Sequence, residues 1–254
     1  LYTYAWALFT LPYGVIAVPI ATSAFTALAV AHTEHDRRGF STLVSGTARA
    51  CVMVTAAVGT ALAAAAGPVA LIFAEQDPLT LQRALLAYAP GVVGFGLVAL
   101  LSRALYASHH GRPAAAAQVT GWLVVVVCAV SLVWTLPSGW AIAGLGAAST
   151  FGLSLAAVLL CVAVGRVHGR ESLAGLARSV VAALLGGVVG WALGGSVAVA
   201  LPAEGVWQAV TGAVVAGAVG LAAYAAVAAL VDRPAVRASA DRVRGVLERR
   251  RGKR

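Results

Sequence analysis

Charge is what this sequence has least of. Only 11% of its 254 residues are Asp, Glu, Lys or Arg, against 61% from the set Ala, Val, Ile, Leu, Met, Phe, Trp, Tyr and Cys. The mean hydropathy is +0.90. A soluble domain carries about 25% charged residues, so this chain cannot cover a water-facing surface. An ordinary globular protein is excluded, and a multi-spanning membrane protein remains. Acids are scarcest of all. The nine Asp and Glu fall in loops, at the ends of apolar runs or in the C-terminal tail, and no His lies inside a run. A proton relay confined to this chain has no groups to run through. HExxH, GxSxG and Walker A motifs are absent, so no enzymatic chemistry and no cofactor are expected. Cys51, Cys128 and Cys161 lie far apart with no CxxC and read as small buried hydrophobes. His32, His35, His109, His110 and His168 sit in or beside short polar loops without carboxylate or Cys partners, so no metal site is expected.

What charge there is leans one way. The formal balance is +9, and 17 of the 18 cations are Arg. Nine of the 18 fall in the last 22 residues, and most others flank apolar runs. That is the distribution of membrane topology and not of a nucleic-acid surface, so no nucleic-acid partner is expected. The chain opens on Leu1 inside an uncharged apolar stretch, unlike a signal peptide. A fragment, or a chain with a misplaced start, is the expectation.

Seven apolar runs are long enough to cross a bilayer core of roughly 30 Å. They cover about 4–31, 49–73, 79–106, 114–136, 140–165, 176–200 and 207–231. All are too continuous for period-2 strands, which leaves an all-α polytopic helical bundle of about seven transmembrane helices. The connections at 32–48, 107–113 and 166–178 carry Arg, whereas 74–78, 137–139 and 201–206 carry none. The first set, with the tail, is expected on the cytoplasmic side. The tail from 232 is either a topology-fixing segment or a weakly amphipathic helix on anionic headgroups.

Few residues could carry mechanism. Pro12 and Pro19 interrupt the first run seven positions apart, which places both on nearly one helix face, and Gly14 loosens the stretch between them. They form either a hinge or a static kink. Arg49 opens the second run and Arg103 closes the third. Each either snorkels to the interface or faces a cavity and binds an anionic headgroup such as a diphosphate, which suits the planar guanidinium fork. Gly186, Gly190 and Gly194 are spaced as GxxxG, a weak sign of close helix packing.

The order of motifs resembles the C-terminal half of the MurJ/MviN lipid II flippases of the MOP transporter superfamily. The stretch YTYAWALFTLPYGVIAVPIATSAF is similar to a family span with an aromatic, then Leu-Pro-x-Gly, then small residues. TARAC with the later GPVALIF resembles the next span. SRALYASHHGRPAAAAQV, with Tyr106, Arg112 and Pro113, resembles the family stretch between two spans. Span lengths to the end agree, including two extra C-terminal helices and a basic terminus.

The resemblance implies a MATE-like second lobe over residues 1–166, two additional transmembrane helices over 167–231 and a basic cytoplasmic tail over 232–254. It implies a multi-pass protein of the bacterial plasma membrane. The partners implied are membrane lipids, lipid II or a similar polyprenyl-diphosphate cargo, and the missing N-terminal half of the transporter. The cargo would move from inner to outer leaflet by alternating access, without chemical change. Departures are specific. Trp6 and Ala7 stand where some members carry an Asp-Arg pair, Ala57 lies near a family Pro, and the usual Leu-Pro-x-Leu/Met-Ser after the first span is blurred to AFTALAVAH. Other readings therefore stay open: an exporter of another polyprenyl-linked glycan, a drug/cation antiporter of the same superfamily, or a non-transporting membrane scaffold.

Overall fold

The computed structural model describes residues 1–201 and 205–232. Ten α-helices follow one another: α1 Tyr2–Pro12, α2 Val18–Thr33, α3 Arg37–Ala64, α4 Ala66–Phe73, α5 Pro78–Tyr88, α6 Gly91–Ala107, α7 Gly111–Thr135, α8 Ala141–His168, α9 Leu176–Ala200 and α10 Val206–Val231. No strand occurs among the described residues. Among the described residues six helical segments are long and apolar enough to cross a membrane, or seven where α5 and α6, bent by 41° at their break, count as one span. The chain is an all-α polytopic membrane bundle, as its composition requires. The expected tail over 232–254 lies outside the described residues except for Asp232.

α1 and α2 form one span joined by a π-helical turn, Tyr13–Ala17, closed by the Val18 N–H on the Tyr13 carbonyl. Pro12 and Pro19 have no N–H to donate to the preceding turn, and the wider turn accommodates the break. Its extra residue also rotates the helix beyond it. Pro12 is buried while Pro19 is exposed, so the two prolines do not share a face as their spacing of seven predicts. The sharper bend is at Pro90, where α5 gives way to α6. There the ladder shifts to Val92 N–H on Ala89 O and Val93 N–H on Pro90 O, both 3.3 Å.

Two expected boundaries move. Most of the anticipated loop 32–48 is helical, because Asp36 caps α3 by accepting the Gly39 N–H at 2.8 Å. An N-cap carboxylate satisfies one of the donors that a helix start leaves unpaired. Arg49 therefore lies well inside α3 instead of opening a span. The segment after α8 is likewise no open loop. A 3-10 turn, Arg170–Leu173, docks on α3 and α8, and fully buried Ser172 donates its hydroxyl to Ser41 Oγ at 3.1 Å.

The α2–α3 and α6–α7 turns are built alike. His35 (φ 58°) and His109 (φ 62°) adopt the left-handed conformation. Each N–H bonds three residues back, to His32 O and Tyr106 O. The following Asp36 and His110 N–H groups reach Ala31 O and Leu105 O. This is the Schellman arrangement, which satisfies the last carbonyls of a helix.

α3 is the central helix, in contact with α2, α6, α9 and α10. Near its middle the Met53 carbonyl accepts a hydrogen bond from buried Tyr224 Oη on α10 at 2.8 Å. Large side chains of α7, α9 and α10 face outward, among them Leu123, Val127, Leu184, Val188, Val214 and Leu230. In lipid such a surface needs no cover, and helix association relies on close packing. α9 and α10 meet through the GxxxG glycines. A Cβ on Gly190 would lie 2.5 Å from both the Gly220 carbonyl and Thr60 Cγ2 of α3; one on Gly194 would lie 2.5 Å from the Ala216 carbonyl.

Candidate functional site

The cations singled out in the sequence sit at the end of the bundle where α3 and α9 begin and α6 and α10 end. Arg49 projects from α3 toward the last two helices. Its Nη2 meets Asp232 Oδ1 at 2.9 Å, and its Nε donates to Ser179 Oγ at 3.2 Å. Ser179 in turn donates to Asp232 Oδ2. One edge of the guanidinium fork is thus occupied by a serine and a carboxylate. Asp232 is 0% exposed, whereas a quarter of the Arg49 side chain reaches the surface. Arg178 adds a second cation 4.0 Å from Asp232 Oδ1 and donates to the Val231 carbonyl at 2.8 Å. Basic groups at a helix C-terminus complement its dipole and its unpaired carbonyls. Gly175, which starts α9 at φ 74°, lies against Arg49: a Cβ there would stand 3.1 Å from Nε. Glycine serves both the left-handed turn and the close approach.

Arg103 on α6 is half-buried, and its Nη1 donates to Ala99 O one turn earlier at 3.0 Å. The structure does not join it to Arg49. The motif residues after α6 form a small structural unit. Tyr106 is exposed and accepts a hydrogen bond from Gln118 Nε2 at 3.2 Å. Gly111 lies under its ring. Pro113 falls in the first turn of α7, where its missing N–H is not needed, and Arg112 beside it is exposed. At the first span, Gly14 has open space where a side chain would be. Trp6 is absorbed into an aromatic cluster, 5.6 Å from Phe9 and 6.1 Å from Tyr88 between ring centroids. The position where some family members carry a charge therefore holds aromatic packing here.

Sequence reading missed two groupings. One is the Arg49–Ser179–Asp232 triad, whose only signal was an acid at the end of the last apolar run. The other is a set of imidazoles drawn together from three loops. His32 and His109 stand 5.7 Å apart, and His110 and His168 6.0 Å. His110 Nδ1 and His168 Nε2 share Ser108 Oγ at 3.3 and 2.9 Å. Among the described residues no group of three or more His, Cys, Asp or Glu is arranged to hold a metal ion.

Residues 1–205, which include all of α1 to α9, match the family model described as lipid II flippase MurJ. No curated protein matches the chain.

Proposed function

The chain belongs to the MurJ lipid II flippase family, and from that membership we propose that it works as the second lobe of a flippase. In this reading it carries undecaprenyl-diphosphate-linked peptidoglycan precursor from the inner to the outer leaflet. The family match across α1 to α9 is the observation that carries the reading. Members of this family are transporters, so the cargo leaves chemically unchanged.

In the proposed mechanism, Arg103 and the outward edge of Arg49 contact the cargo diphosphate, since a guanidinium can meet two phosphate oxygens at once. Asp232 and Ser179 hold the other edge of Arg49 and fix its orientation. The π turn between Pro12 and Pro19, with Gly14 inside it, is the flexing point of the first span. Alternating access needs two bundles rocking about a shared site, so an N-terminal lobe is the proposed partner. We place the chain in the bacterial plasma membrane with its C-terminus cytoplasmic.

A second reading, an altered polyprenyl-linked cargo, draws on Trp6. Its packing among aromatic rings removes a charge that a diphosphate site in the first span would use.

The test is reconstitution in vesicles holding fluorescent lipid II, with the chain alone and together with the first lobe of a flippase. Transbilayer movement is expected only from the pair, and reduced movement from Arg103→Ala. Movement of another polyprenyl-linked glycan in place of lipid II would favour the second reading. Movement by the isolated chain would overturn the two-lobe mechanism.

A further inference from the structure

At the other end of the bundle, α5 and α7 flank α8 on its two sides, and the furrow between them is floored by α8. The cavity is about 400 Å³. Ala143, Gly144 and Ala147 make its floor, Leu86 and Ala87 one wall, and Leu132 with Leu136 the other. The floor is low because its residues are small. The wall packs closely over Gly144, where a Cβ would lie 3.0 Å from Leu136 and 3.2 Å from Leu132. Among the described residues Arg83 is the single charged one lining the furrow, and its guanidinium lies over the Trp140 ring, 4.4 Å from the centroid.

We infer that this furrow holds one bilayer phospholipid, an acyl chain between α5 and α7 and the phosphate on Arg83. The depth fits. Arg83 is just over one turn into α5, beside Trp140, and exposed Trp134 and Trp207 sit at this same end of α7 and α10. Tryptophans gather at the headgroup layer, so the Arg83 guanidinium lies where lipid phosphates are. The charge fits as well. Among the described residues no carboxylate lies within ion-pair distance of Arg83, and the Trp140 face orients the cation without neutralising it. Apart from Trp140 the remaining lining is aliphatic, which matches an acyl chain. The inference uses the membrane-spanning fold and is independent of the flippase reading.

Diazirine-bearing phosphatidylglycerol in nanodiscs with the purified chain provides the test. Crosslinks are expected to concentrate on residues 132–147. Arg83→Gln should lower them about fivefold, the effect of one lost cation near a headgroup layer, with crosslinks on the outer faces of α9 and α10 unchanged. Ala147→Phe, which fills the floor but keeps the charge, should lower them similarly, and Arg83→Lys should retain most of them. Even labelling of all outward faces would overturn the inference, as would insensitivity to both Arg83→Gln and Ala147→Phe. Displacement by an equimolar polyprenyl diphosphate would also overturn it and assign the furrow to cargo. Unchanged outer-face labelling in each variant separates loss of the site from loss of the fold.

Discussion

Arg49 and Asp232 lie 183 positions apart in sequence and 2.9 Å apart in the fold. The pair ties the central helix to the C-terminal end of the last one. Ser179, at the start of α9, bonds both partners, so three helices meet at a single charged joint. A buried carboxylate is tolerated only where a cation and hydrogen bonds compensate its lost hydration.

Arg49→Ala removes the nearer cation from buried Asp232, leaving Ser179 and the more distant Arg178, and should cost about 3 kcal/mol, the lower part of the range for breaking a buried pair. Asp232→Asn, which keeps an acceptor for Ser179, should cost less. The double variant should cost less than the sum, since the partners interact directly. Thermal unfolding in detergent checks the order. An exactly additive pair would show that the contact carries no coupling.

The α9–α10 seam should respond to glycine substitution position by position. Gly190→Val and Gly194→Val push against backbone carbonyls that cannot give way, and both should separate α9 from α10 and lower stability by about 2 kcal/mol or more. Gly195→Ala meets only the Trp191 ring at 3.9 Å and should be near neutral. Disulfide trapping of the helix pair, with unfolding midpoints, reads both effects.

Tyr224→Phe removes the hydroxyl that satisfies the Met53 carbonyl in the interior. A loss of about 1 kcal/mol is expected, in line with one buried hydrogen bond. Tyr106→Phe, on an exposed ring, should fall within error. Equal losses for the two would argue against the α3–α10 bond.

Sidedness is checked by single cysteines in a background lacking Cys51, Cys128 and Cys161. Gln76 and Glu171 are exposed at opposite ends, whereas neighbouring Ser172 is too buried to label. An impermeant maleimide should label Gln76→Cys on intact cells and reach Glu171→Cys only after permeabilisation. The reverse pattern would invert the orientation drawn from the Arg counts.

Several features were legible without coordinates. Apolar runs of about 20 residues can satisfy their backbone in lipid only as helices, or as strands of a closed barrel, and their continuity ruled out strands. A bundle of six to seven spans follows from composition and length alone, and the order of motifs points to the family. Other features are set by contacts between distant parts of the chain. The π turn is one, because two prolines dictate that the ladder breaks but not how it closes, and the extra residue then changes which face Pro19 presents. The start of α3 is another, since a single Asp36 cap extends a helix through a polar stretch that hydropathy assigns to a loop. The direction of Arg49 is the clearest case. A sequence shows a cation near a membrane interface, and its partner could be water, lipid phosphate or protein. Only the packing of α9 and α10 against α3, made close by glycines at Gly190, Gly194 and Gly220, brings Asp232 to it. Proximity of that kind depends on where helices cross in three dimensions, and local periodicity contains no record of it.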